Sequence, residues 1–88
     1  MKIKSDFILR DMGDMSIVVA VGESAQKFNG VINLNETAIF MWKELSKGCT
    51  RDALVESVLK EYDAPRDVVE RDVDNIIAKL KKENILDE

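Results

Sequence analysis

From Asn35 onward the apolar residues recur at helical spacing, and two breakers cut the pattern into three stretches. This periodicity constrains the fold most. Three short amphipathic helices in succession must bury their stripes against one another or against a sheet. Asn35 is a good N-cap, and Glu36 puts an acid in the first turn. Ala38, Met41, Trp42 and Leu45 follow at i, i+3, i+4 and i+7, and Gly48 supplies a stop. Thr50 caps a second helix, with Asp52 in its first turn and the stripe Leu54, Val55, Val58, Leu59 and Tyr62. Asp63-Ala64-Pro65 breaks that stripe, and Pro65 fits the first turn of a third helix. The third stripe is Val69, Val73, Ile76, Ile77 and Leu80. Asn84 can end this helix, so that Ile85-Leu86 folds back onto the core.

Before Asn35 the pattern is that of strands. Phe7-Ile8-Leu9-Arg10 is short and apolar, Asp11-Met12-Gly13-Asp14 is a turn signal, and Met15 to Val21 is rich in β-branched residues. Together they read as a hairpin. A polar loop, Gly22 to Lys27, leads to a third short strand, Phe28 to Leu34. Strands followed by helices give an α+β class. The expected architecture is a three-stranded antiparallel sheet followed by three helices, in one domain over residues 1–88. A hairpin beside a three-helix cluster is also the layout of a winged helix-turn-helix.

Composition removes several function classes. The chain has no histidine, which excludes Ser-His-Asp and Cys-His catalysis and imidazole metal ligands. The single cysteine, Cys49, excludes an internal disulfide framework and the cluster-binding cysteines of radical chemistry. It could be a reactive thiol at a helix N-terminus, but without a base to activate it Cys49 reads as an ordinary turn residue. Thirteen basic residues are interleaved with 17 acidic ones for a net charge of −4, a poor match to phosphate backbones. Asp72 and Asp74 point in different directions on one helix, and Asp11 and Asp14 lack EF-hand spacing. Neither an enzyme nor a cofactor is expected. No apolar run is long enough to span a bilayer, and an acid follows immediately on Met1 to Ser5, so no secretory signal or membrane association is expected. The expected compartment is the cytoplasm.

Trp42 and Tyr62 fall on apolar stripes and read as core. Two features are left for a partner. The third strand is short and follows a loop. At a sheet edge it would offer unpaired N–H and C=O groups to an extended peptide, or else be a blunted edge that binds nothing. On the third helix, Val69, Val73, Ile77 and Leu80 form the core stripe. Val68, Asp72, Ile76 and Lys79 form an adjacent stripe, a margin that either lines a groove or belongs to a wide core face.

Nearly the whole chain resembles the pyrroloquinoline quinone biosynthesis protein D family, the peptide-recognition elements of ribosomally made, post-translationally modified peptides. The likeness is carried by Phe7 to Arg10, the strand through Val21, and Gly30 to Ala38 followed by Trp42 and Leu45. It continues in Ser46 to Thr50, Leu59 to Asp63, Asp72-Val73, Ile76-Ile77, Leu80 and Ile85-Leu86. Asn84 departs from the family's usual glycine, but asparagine also tolerates the left-handed conformation. The resemblance implies a winged helix-turn-helix that binds peptides. The leader segment of a precursor adds to the strand Val31, Ile32, Asn33 and Leu34. It packs against a helix face for which periodicity offers Val68, Asp72, Ile76 and Lys79, with Val69 and Val73 behind them. On this reading Ile76→Asp abolishes binding and leaves the fold intact. The implied partner is a separate modifying enzyme, a radical S-adenosylmethionine maturase or a leader peptidase.

The alternative reading is a winged-helix DNA-binding regulator, whose third helix would enter the major groove. Its N-terminal half carries Arg66 and Arg71 against Asp67, Glu70, Asp72 and Asp74, so nucleic acid is not the expected partner. An exposed third strand could also pair with a second copy, which leaves monomer and homodimer both open.

Overall fold

The computed structural model describes residues 1–13, 15–22 and 32–87. The elements in order are β1 (Lys2–Ile3), β2 (Phe7–Asp11), β3 (Ser16–Ala20), β4 (Ile32–Leu34), α1 (Glu36–Lys47), α2 (Arg51–Glu61), α3 (Arg66–Lys82) and β5 (Leu86–Asp87). The hairpin β2–β3 is antiparallel, from Phe7 opposite Ala20 to Asp11 opposite Ser16. At its tip Gly13 takes a φ of 97°, and its N–H donates to Asp11 Oδ1 at 2.9 Å. Only glycine enters that region without strain. Strand β4 pairs antiparallel with β3, with Ser16 opposite Leu34 and Val18 opposite Ile32. The sheet order is therefore β2-β3-β4, and β4 forms one edge. The expected strand start, residues 28–31, lies outside the described residues, as do Asp14 and residues 23–27 of the expected loop. Alternate residues Phe7, Val18, Ile32 and Leu34 are buried and join the helical core.

A second, two-stranded sheet was not legible in the sequence. Lys2 and Ile3 lie antiparallel to Asp87 and Leu86. Lys4 N–H donates to the Ile85 carbonyl at 2.9 Å. The Met1 ammonium donates to the Cys49 carbonyl, and Cys49 N–H to the Met1 carbonyl, both at 2.9 Å. The first residues thus strap the α1–α2 corner to the segment after α3. Strands of two residues carry no period to read.

Helix boundaries follow their caps. The Asn35 side chain accepts from Ala38 N–H at 2.9 Å, and Thr50 Oγ1 accepts from Ala53 N–H at 3.1 Å. Pro65 stands at the N-cap of α3, one position earlier than expected. Tyr62 is not part of the α2 stripe. It is the extended C-cap residue, half-buried, with its ring edge-on to Phe40 at a centroid distance of 5.7 Å. At the end of α3, Ile85 N–H donates to the Leu80 carbonyl at 2.9 Å and Asn84 N–H to the Lys81 carbonyl at 3.0 Å. This is a Schellman motif with Asn84 in the left-handed position, at a φ of 60°. Leu80 and Ile85, which close it, are fully buried. Asn84→Val is expected to lose about 1–2 kcal/mol through left-handed strain, whereas Asn84→Gly should be tolerated. Chemical denaturation of the two variants checks this ordering.

Helices α2 and α3 are clamped from outside the core. Arg51 holds Asp74 with two hydrogen bonds, Nε to Oδ1 at 2.9 Å and the terminal nitrogen to Oδ2 at 3.0 Å, and reaches Glu70 at 3.3 Å. The hydrogen bonds from Arg51 hold the Asp74 carboxyl below its ordinary value of 3.8. A depressed carboxylate stabilises the fold above its unfolded value and loses that contribution as pH falls through the folded one. The fold should therefore weaken on acidification below that ordinary value, and Asp74→Asn should reduce the slope of that decline. Thermal midpoints measured across the acid range test it; an unchanged slope in the variant would contradict it.

Candidate functional site

Chain geometry places β4, α1 and α3 around one opening. Strand β4 runs through Asn35 directly into α1, so Leu34 and the first turns of the helix stand together. On its other side β4 meets no strand among the described residues. A cleft of about 300 Å³ lies where Leu34, Thr37, Ala38 and Met41 meet the α3 residues Asp72, Asn75, Ile76 and Lys79. A second cleft, of about 260 Å³, adjoins it and shares Thr37, Met41 and Asp72. It continues to Tyr62, Ala64 and Val68 at the α2–α3 corner. The two form a furrow along α3.

The residues singled out in the sequence fall in different places. Val68, Asp72, Ile76 and Lys79 line this furrow together. Val69 lies at the floor of the second cleft, 3% exposed. Val73 has no exposed surface and belongs to the core, so it supports the furrow without being able to touch a ligand. Leu34 lines the first cleft, while Ile32 is buried in the core and lines neither. Val31 and the Asn33 side chain lie outside the described residues. Ile76 is only 9% exposed and packs in the core, which corrects its use as a harmless test position. An aspartate there would bury a charge and threaten the fold itself.

The contribution of α1 was missed. Ala38 reads as core from its spacing, yet it is half-buried and small, and it leaves room in the cleft. Thr37 and Asn75 lie off the apolar stripes and gave no signal. The ends of the furrow differ in charge. Asp63 borders the second cleft alone, Lys79 the first alone, and Asp72 stands between them. Among the described residues Asp72 pairs only with its neighbour Arg71, at 3.7 Å, and Lys79 makes no ion pair. Neither carboxylates nor cysteine gather elsewhere: no three potential metal-ligating side chains cluster among the described residues. Burial pushes the Cys49 thiol up, against activation as a nucleophile.

The sequence profile of coenzyme PQQ synthesis protein D, PqqD, matches residues 16–86. The chain belongs to this family. A search of curated proteins finds no significant match. Two solved structures show where the PqqD-type fold recurs. One is described as TbiB1 in complex with the TbiA(beta) leader peptide. It is 22% identical, with a TM-score of 0.78, covering 99% of this chain and 95% of that one. The other is lasso peptide synthetase B1 complexed with the leader peptide. It is 19% identical, with a TM-score of 0.73, covering 96% and 93%. Their shared architecture is α+β with three helices and small antiparallel sheets.

Proposed function

We propose that this PqqD-family chain binds the leader segment of a ribosomally made precursor peptide and presents it to a separate modifying enzyme. The observation that carries this is the edge of β4, which meets no second strand among the described residues and opens onto the furrow along α3. An extended peptide can pair its backbone with β4 and drop alternate side chains toward Leu34, Val68, Asp72, Ile76 and Lys79. Both solved structures with this fold hold leader peptides, which supports the same use here. In this reading the hairpin is the wing and α2–α3 the helix-turn-helix of a single peptide-recognition domain. The chain works without chemistry of its own and needs no cofactor. It raises the local concentration of the precursor at a radical S-adenosylmethionine maturase or leader peptidase in the cytoplasm. A monomer suffices, and a homodimer through the β4 edge would compete with the peptide.

Isothermal titration against a precursor encoded beside the chain tests the proposal. Saturable one-to-one binding is expected. No heat at high micromolar peptide, with and without the maturase, would sink it. Nothing favours the DNA-binding alternative. Arg66 is paired with Glu56, and Arg51 is held by Asp74. The helix that would enter a groove also presents Asp67 and Asp74 as exposed side chains.

A further inference from the structure

The furrow has two wells, and the proposed strand addition at β4 accounts for only the first. Leu34 at the end of β4 borders the first well, while the second lies beyond Asp72 and touches none of the described side chains of the sheet. Its wall sets accessible apolar side chains beside the exposed Asp63 and Asp72. Val68 and Ala64 are half-buried, and Tyr62 stands on the rim, held edge-on by Phe40. Val58 and Val69 close the floor. A half-buried valine and tyrosine around a cleft of about 260 Å³ leave apolar surface in water that a side chain could cover.

We infer that the second well is a distinct subsite for one apolar side chain of the same peptide, four residues from the side chain that fills the first. This rests on the peptide-binding reading above. The spacing comes from the helix. Val68 and Ile76 mark the two wells and are eight residues apart on α3, about 12 Å along its axis at ~1.5 Å per residue. An extended peptide covers that distance in about four residues at ~3.3 Å each. Residues i and i+4 of a strand point to the same side, so both anchors can face the furrow. Continuity supports a single occupant, because Thr37, Met41 and Asp72 belong to both wells. Charge gives the occupant polarity. Asp63 lines only the second well and suits a basic neighbour, while Lys79 lines only the first and suits an acid. The ligand is thus a peptide with two apolar anchors in i, i+4 spacing, acidic on the side of the first anchor and basic on that of the second.

Selection from a displayed library of random dodecapeptides tests this and requires no identified precursor. The full chain should enrich peptides with two apolar positions four apart. Ala64→Trp, which fills the second well, should enrich peptides with only one of them. Val68→Ser is the milder second variant, and circular dichroism establishes that each is folded. Removing the second anchor from a selected peptide should weaken it roughly tenfold to a hundredfold, as expected for one buried apolar side chain. Lys79→Glu should abolish the acidic preference and keep both anchors. A single enriched position in the unaltered chain, another spacing, or two anchors that persist in folded Ala64→Trp and Val68→Ser would overturn the second subsite. Failure of the unaltered chain to enrich any peptide would instead overturn the peptide-binding reading.

Discussion

Ala38→Trp is expected to weaken the proposed leader-peptide binding by roughly thirtyfold or more while the chain remains folded. Ala38 lies on α1 facing the first cleft, and its side chain is half-buried rather than packed solid. An indole at that position fills the space between Met41 and Ile76 that the peptide's anchor would occupy. The loss of one centrally buried anchor at an interface is worth about 2 kcal/mol or more, and each 1.4 kcal/mol is a factor of ten. Alanine to tryptophan also costs some helix propensity, about 0.5 kcal/mol, so the fold should survive. Titration calorimetry reads the affinity, and a thermal melt by circular dichroism reads the fold. A folded variant with unchanged affinity would move the binding site away from this cleft. The same experiment with Ile76→Asp would be ambiguous, since a charge at a position 9% exposed disturbs the core as well as the cleft.

That contrast shows how far the site was legible in the sequence. Helical period places Val68, Asp72, Ile76 and Lys79 on one strip of α3, because 3.6 residues per turn fixes their relative angles wherever the helix sits. Period alone cannot say how deep each lies. Val73 shares the apolar character of Val68, yet one has no exposed surface and the other lines a cleft. What decides between them is which element packs on the helix, and that is a tertiary fact. The role of α1 was hidden for the same reason. Ala38 obeys the stripe that Met41, Trp42 and Leu45 follow into the core, but it is too small to fill the space beside α3.

The fold was readable where local chemistry dictates it. Asn35 and Thr50 accept the hydrogen bonds that end-of-helix donors require, Gly48 turns α1 at positive φ, and Asn84 does the same for α3. Where the determining partner is distant in sequence, reading fails. β1 and β5 are two residues each and stabilise one another across nearly the whole chain. Tyr62 continues the spacing of α2 and still leaves the helix, because the extended turn through Asp63 and Ala64 into Pro65 begins there.

Leu80→Ala is expected to cost about 3 kcal/mol, the largest stability loss among the substitutions considered. Leu80 has no exposed surface, and it meets Ile85 across the Schellman turn that leads α3 into β5. Truncation removes transfer energy and leaves a cavity, with Leu→Ala losses of about 2–5 kcal/mol. A chain of 88 residues has a total stability of roughly 4–13 kcal/mol, so the loss is a large part of it. At about 4–8 °C per kcal/mol for a domain this size, the thermal midpoint should fall by roughly 12–24 °C. Leu59→Ala is the control. Leu59 is half-buried on α2, so its loss should be markedly smaller. Peptide then links the two halves of the argument. A ligand that binds only the folded chain, present at about a hundred times its Kd, returns about 2.7 kcal/mol. Saturating leader peptide should therefore recover most of the stability that Leu80→Ala removes, and it should fail to do so when Ala38→Trp is added. Equal losses for Leu80→Ala and Leu59→Ala would refute the packing assignment. Equal rescue with and without Ala38→Trp would place the peptide elsewhere on the chain.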